Sequence, residues 1–131
     1  MATYNKFTPA VENLLEGVNC GTDTWKLALA TAVNQAAGTF TEVANGNGYT
    51  TGGVTLSVAS SAQSAGTYTL TFTTPASPTW TASGAGFTFQ YVCLVDSTAG
   101  VNVGYWDYGA SQAVAAGETV TVTLTNAFTV T

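Results

Sequence analysis

Histidine is absent from this chain, and basic residues are nearly absent. Only Lys6 and Lys26 carry positive charge against seven acidic residues, so the formal net charge is −5 over 131 residues. Nucleic-acid binding needs clustered Lys and Arg to displace counterions. Histidine is the commonest general base and a favoured metal ligand. We therefore expect no nucleic-acid binding, no enzymatic activity, no catalytic residue and no cofactor.

Charge of either sign is scarce. Charged residues make up 7% of the chain, against about 25% in a typical domain, and Thr, Ser, Asn and Gln take their place. A free monomer normally uses charge to stay soluble and to protect the edges of its sheets. The composition favours a protein that functions in an assembly, with a secreted β-domain as the alternative.

Cysteine and long apolar runs are also rare. Cys20 and Cys93 are the only cysteines, too few for a disulfide framework or for a zinc site, which needs about four ligands. The apolar run around Cys93 favours two buried free thiols, with a Cys20–Cys93 disulfide as the alternative. The N-terminus lacks the apolar core of a signal peptide. No run approaches the ~18 apolar residues of a membrane span, so we expect a cytoplasmic site of synthesis and no membrane contact.

What the chain does have is threonine in alternation with apolar residues, over 67–73 and again over 119–125. Side chains along a strand point alternately to opposite faces. Tyr68, Leu70 and Phe72 therefore share an apolar face, and the threonines between them share a polar face without charge. This pattern predicts an all-β protein whose uncharged surface contacts another molecule.

One helix is expected before the strands. Residues 1–7 look like an N-terminal arm anchored by Tyr4 and Phe7, and residues 8–18 look helical, with Thr8 as N-cap and Pro9 in the first position. An apolar stripe would cover one end or edge of a sheet, and Gly17 or Gly21 would end the helix. The stripe consists of Val11, Leu14, Leu15 and Val18.

The rest of the chain reads as about seven or eight short strands separated by turn signals. Residues 60–66 read as a loop of small residues, and residues 119–130 read as one last strand. Regular short strands with intervening turns favour a sandwich, jelly-roll-like, or a related barrel. We predict a single β-sandwich domain over residues 1–131.

Three groups of residues could form a functional site, and each also has a simpler structural interpretation. Asp107, among aromatic residues, is either a carboxylate with a raised pKa or an acceptor of backbone hydrogen bonds in a turn, and the turn is favoured. A flat aromatic platform for sugar rings competes with ordinary core packing; its members would be Trp80, Tyr105, Trp106 and Tyr108. A calcium site competes with turn formation; its ligands would be Asp23, Glu42, Asn45, Asn47 and Asp96.

Four segments resemble a group of small tailed-bacteriophage virion proteins, and they are distributed along most of the chain. They are Met1–Phe7 with the helix after it, Gly46-Asn47-Gly48-Tyr49-Thr50 followed by Gly52-Gly53, Trp80-Thr81-Ala82-Ser83-Gly84, and Trp106-Asp107-Tyr108-Gly109. The resemblance implies a structural role without catalytic residues. The role it favours is capsid decoration, or cement: a β-sandwich protein on the capsid surface that ties neighbouring subunits together.

On this interpretation the protein is assembled into the virion in the host cytoplasm. Its partner is the major capsid protein, and it self-associates as a dimer or trimer. Alternatives are a phage tail or fibre component and a carbohydrate-binding module. We expect the partner contacts at the arm, which would order on binding, and at the exposed aromatics. The residues are Tyr4, Lys6, Phe7, Trp106 and Tyr108.

Overall fold

The computed structural model describes residues 2–72, 78–124 and 128–130. One helix, α1 (Ala10–Glu16), follows the first strand. The strands are β1 (Thr3–Lys6), β2 (Trp25–Asn34), β3 (Thr39–Glu42), β4 (Val54–Leu56), β5 (Val58–Ser64), β6 (Thr67–Phe72), β7 (Thr79–Thr81), β8 (Phe87–Asp96), β9 (Val101–Val114), β10 (Thr119–Thr121) and β11 (Phe128–Val130).

The strands form one large antiparallel sheet and two small ones. The main sheet has the order β1-β9-β8-β2-β3, with β4 also paired to β2, and the small sheets have the orders β10-β7 and β11-β6-β5. Side chains of all three sheets meet in one core, among them Trp25 of β2, Leu70 of β6 and Trp80 of β7. The prediction of an all-β, sandwich-like fold is confirmed.

The central strands of the main sheet are buried on both faces. Leu29 pairs with Val92 and both enter the main core, whereas the next pair along, Ala30 and Tyr91, points to the opposite face. A second apolar cluster covers that face, because the chain around α1 folds over it. Its buried members are Phe7, Ala10, Ala30, Cys93 and Tyr105.

The helix is shorter than the sequence predicted. It begins at Ala10 after Pro9, no side chain caps its N-terminus, and it ends at Gly17. The apolar stripe is divided between the core and the solvent. Leu14 and Val18 pack against the main core, but Val11 is 49% exposed and Leu15 is 85% exposed.

Two strand predictions are wrong, and both concern strands of the small sheets. The predicted loop over 60–66 is mostly strand β5, which turns into β6 through Ala65 and Gly66, both with positive φ. The predicted last strand is two strands in different small sheets, since β10 pairs with β7 and β11 pairs with β6. The sequence also predicts a proline-bearing link around Pro75 and Pro78, of which Pro75 lies outside the described residues.

Two positions of the segment between β3 and β4 require glycine, because another part of the backbone passes close to them. A Cβ on Gly53 would collide with the Leu27 carbonyl, and one on Gly48 would collide with the Thr81 carbonyl. Both glycines also have positive φ, a conformation that only glycine adopts without strain. The segment is fastened further by Tyr49, whose hydroxyl donates to Glu42 Oε1 at 2.6 Å and accepts from the Leu29 amide at 3.1 Å.

Candidate functional site

The N-terminal segment is a strand of the main sheet. Strand β1 pairs antiparallel with β9, so that Tyr4 lies opposite Trp106 and Lys6 opposite Gly104. The segment predicted as an arm is therefore ordered within its own domain. Whether it also contacts a partner stays a prediction, and its exposed side chains are the part available for such contact.

Four of the predicted contact residues are at least partly accessible along β1 and β9. We call Tyr4, Lys6, Trp106 and Tyr108 the aromatic edge. Tyr4 is 40% exposed and Tyr108 is 39% exposed, Lys6 is exposed, and Trp106 is half-buried against the main core. The rings of Tyr4 and Trp106 lie 5.1 Å apart at 55°. Burial raises the pKa of both tyrosines, so both hydroxyls stay protonated as hydrogen-bond donors at neutral pH.

Phe7 is a correction to the predicted contact set. Its side chain is fully buried, and its ring lies 5.1 Å from that of Tyr105 in the second apolar cluster. The alternation along β1 continues past its end, so Phe7 enters the cluster beneath α1 while Lys6 stays exposed. Phe7 is a core residue, and it anchors the N-terminal strand instead of contacting a partner.

An open groove of about 460 Å³ adjoins Tyr108. The Tyr108 ring packs edge-on against Phe89, with ring centroids 5.5 Å apart. Polar and aliphatic side chains alternate with the two rings around the groove, which is lined by Phe89, Tyr108, Gln112, Ala113, Val114, Glu118, Thr119 and Val120. Three of the polar side chains are already engaged: Glu118 accepts from the Ala115 amide, Gln112 donates to the Ala110 carbonyl, and the Thr119 hydroxyl is hydrogen-bonded to that of Thr81.

Asp107 has the turn role that the sequence favoured. Its Oδ1 accepts the Gly109 amide at 2.8 Å and Nε2 of Gln90 at 3.1 Å. Gly109 has a positive φ of 79°, which marks an irregular turn inside β9. The carboxylate therefore shapes the backbone next to Tyr108.

The four-ring platform for sugars is not assembled. Trp80 is buried in the main core and Tyr105 in the second cluster, on opposite sides of the main sheet. Trp106 and Tyr108 remain accessible, together with Tyr4, which the platform hypothesis did not include.

The proposed calcium ligands are also not brought together. Glu42 accepts from Tyr49 and from the Gly52 amide, and Asn45 accepts from the Thr51 amide in the adjoining turn. Among the described residues, no three acidic, cysteine or histidine side chains are close enough to hold a metal ion. Of the proposed ligands, only Asp23 and Asp96 are shown in contact with each other.

Both cysteines are free thiols, Cys93 buried and Cys20 half-buried.

Sequence reasoning missed a second accessible surface, which we call the open edge: the outer edge of β5. Six of the seven residues of β5 are exposed, and Val58 is partly buried. In the described part of the chain, only β6 pairs with β5. The three strands of its sheet contain no charged residue and no proline. A signal was present in the sequence, because no charged residue occurs between Glu42 and Asp96.

Comparison with protein families, with characterised proteins and with solved structures gives no match. In the part of the chain that the structure describes, no helix has the length and apolar character to cross a membrane. The residues of the two surfaces are therefore the features from which a function can be inferred.

Proposed function

We propose that this chain is a structural virion protein, a capsid decoration or cement protein that stabilises the head by bridging neighbouring capsid subunits. The major capsid protein is its partner, and it self-associates as a dimer or trimer on the capsid surface. The resemblance of four sequence segments to small tailed-phage virion proteins supports this proposal. So does the arrangement of accessible surfaces on the domain.

One observation carries the bridging role: the domain has two accessible surfaces in different sheets. The aromatic edge belongs to the main sheet and the open edge belongs to the β11-β6-β5 sheet. A protein that ties two subunits together needs at least two such surfaces, and engaging both raises the overall affinity without new contacts at either.

Each surface suits a protein partner for a different reason. Partly exposed aromatic rings are the side chains that most often dominate the energy of a protein interface. Within the described residues the outer backbone groups of the open edge pair with no strand, and an extended segment of a partner can add to it as a further strand. Charged residues and prolines normally block such pairing, and β5 has neither.

The open edge is tested by placing a charge on it. We expect Ala62→Lys to leave the folded domain intact and to weaken binding to assembled capsids by about tenfold or more, because a lysine on an edge strand opposes strand addition. Ala36→Lys is the matched control, with the same change on the exposed turn between β2 and β3. Co-sedimentation with capsids measures the affinity. Equal binding of both variants would contradict a role for the open edge.

Two alternative functions remain as outcomes of further tests. A tail or fibre component would use the same two surfaces and would be found on the tail. The groove beside Tyr108 favours a carbohydrate-binding module as the other candidate, because an aromatic wall with polar neighbours suits a sugar ring. Glycan-array binding that is lost in Tyr108→Ala and Trp106→Ala would support that function.

A further inference from the structure

Asp96 is a buried acidic residue that neither contact surface uses. It lies at the end of β8 with no exposed surface. Its Oδ1 accepts the amides of Thr98 and Ala99, at 2.9 Å and 3.0 Å. Its Oδ2 is buried and has no hydrogen-bond partner among the described residues. A buried polar atom left without a partner costs folding free energy.

The side chain of Asp23 is a hydrogen-bonding and charged neighbour of Asp96. Oδ2 of Asp23 accepts the Asn19 amide at 2.8 Å, which fixes the side chain in the turn before β2. The other titratable neighbour is Cys20 in the same turn, whose thiol both carboxylates influence. Two carboxylates in contact cannot both ionise without strong repulsion, whereas one proton between them supplies the missing hydrogen bond.

We propose that Asp23 and Asp96 share one proton, and that this pair fastens the turn before β2 to the turn after β8 in a pH-dependent way. The two turns are joined by three further hydrogen bonds, all between Thr24 and the turn after β8. The Thr24 amide donates to Thr98 Oγ1 at 2.8 Å, and the Thr24 carbonyl accepts from the amide and the hydroxyl of Ser97, both at 2.9 Å. Loss of the proton places two negative charges at the centre of this contact.

A proton fits the site better than a metal ion. Calcium needs about six to eight oxygen ligands, usually from several carboxylates. No third acidic side chain joins Asp23 and Asp96 in the described part of the chain, and Oδ1 of Asp96 is already occupied by two amides.

The pH dependence has a definite sign. Burial raises the pKa of Asp96, and contact with Asp23 raises it further, while the two amides lower it. An unfolded aspartate has a pKa of about 3.9. The folded state therefore keeps a proton that the unfolded state loses above that pH. The stability that the pair contributes is complete below about pH 3.9 and is lost as the pH rises through the folded pKa of Asp96.

Carboxyl NMR of protein labelled with ¹³C-aspartate tests the pair directly. The chain has three aspartates, and the loss of one signal in each Asp→Asn variant assigns them. We expect the Asp96 signal to titrate above the usual aspartate range, and to move to lower pH in Asp23→Asn, whose amide donates to the Asp96 carboxylate. Asp107→Asn is the matched control and leaves the titration of Asp96 unchanged.

Unfolding by urea over a range of pH gives the second readout. We expect wild-type stability to fall as the pH rises above about 4, and this fall to be smaller in Asp96→Asn, whose amide replaces the shared proton with a permanent donor. If Asp96→Asn does not fold, Asp23→Asn is used in its place. Titration of Asp96 in the usual range, or no effect of Asp23→Asn on it, overturns the proposal. Stabilisation of the wild type alone by millimolar Ca²⁺ also overturns it and assigns the pair to a cation.

Discussion

The ring of Tyr4 lies on the backbone of Gly104, which is the residue opposite Lys6 on the neighbouring strand. A Cβ at position 104 would collide with the Tyr4 ring and hydroxyl. The glycine therefore makes the space in which Tyr4 reaches Trp106, with ring centroids 5.1 Å apart. The geometry of the aromatic edge depends on a residue that contributes no side chain to it.

Substitution of this glycine is expected to displace the tyrosine. We expect Gly104→Ala to cost about 1 kcal/mol of unfolding free energy, roughly the value of an aromatic pair. In a Tyr4→Ala background the same substitution costs less, because the colliding ring is gone. Urea unfolding of the two single variants and the double variant measures the coupling. An equal cost in both backgrounds would show that the Tyr4 ring does not occupy this space.

Gly53 and Gly52 form a matched pair for testing the turn before β4. Both have positive φ, but only Gly53 faces the backbone of Leu27. We expect Gly52→Ala to cost about 1 kcal/mol from backbone strain alone. Gly53→Ala adds a collision with a carbonyl that cannot move aside, and we expect it to cost about 3 kcal/mol or more. Similar unfolding free energies for the two variants would contradict the packing of this turn against β2.

Phe7 is expected to act on stability. Because the side chain is fully buried, Phe7→Ala should cost about 3–5 kcal/mol of unfolding free energy. Lys6→Ala, one residue earlier and exposed, should change the stability by less than about 0.5 kcal/mol. Thermal or urea unfolding separates the two. A Phe7→Ala variant as stable as the wild type, but unable to bind capsids, would return Phe7 to the contact surface.

The sequence predicted the fold class because threonine and apolar residues alternate most regularly where strands are half-buried, as in β6. It failed at β5, whose small residues Ala59, Ser60, Ser61 and Ala62 give no apolar alternation. That strand is exposed and pairs with β6. Because neither of its faces is buried, its sequence does not alternate between apolar and polar residues. The split of residues 119–130 between two sheets depends on long-range pairing, which periodicity does not report.

The candidate site was predictable in part. Tyr4, Trp106 and Tyr108 are among the expected contact residues, and the structure leaves all three at least partly accessible. The turn role of Asp107 followed from its local sequence. Phe7 was misplaced, because its burial depends on α1 folding over the opposite face of the sheet. The contact between Asp23 and Asp96 joins residues 73 positions apart, and only the pairing of β2 with β8 brings them together.

Substitutions on the aromatic edge are expected to weaken binding to capsids. We expect Tyr108→Ser and Tyr4→Ser each to weaken capsid binding by about tenfold to a hundredfold, as for interface hot spots. Leu15→Ser is the matched control, because it removes a large apolar side chain that is 85% exposed on a different surface. Full binding by the tyrosine variants, with loss of binding by Leu15→Ser, would move the contact surface to α1.

Cryo-electron microscopy of virions that contain this chain tests the proposed function most directly. The cement hypothesis predicts density for the domain on the outer surface of the head, between neighbouring capsid subunits. The aromatic edge and the open edge should each face a different subunit. Density on the tail, or a domain that touches a single capsid subunit through one surface, would contradict it.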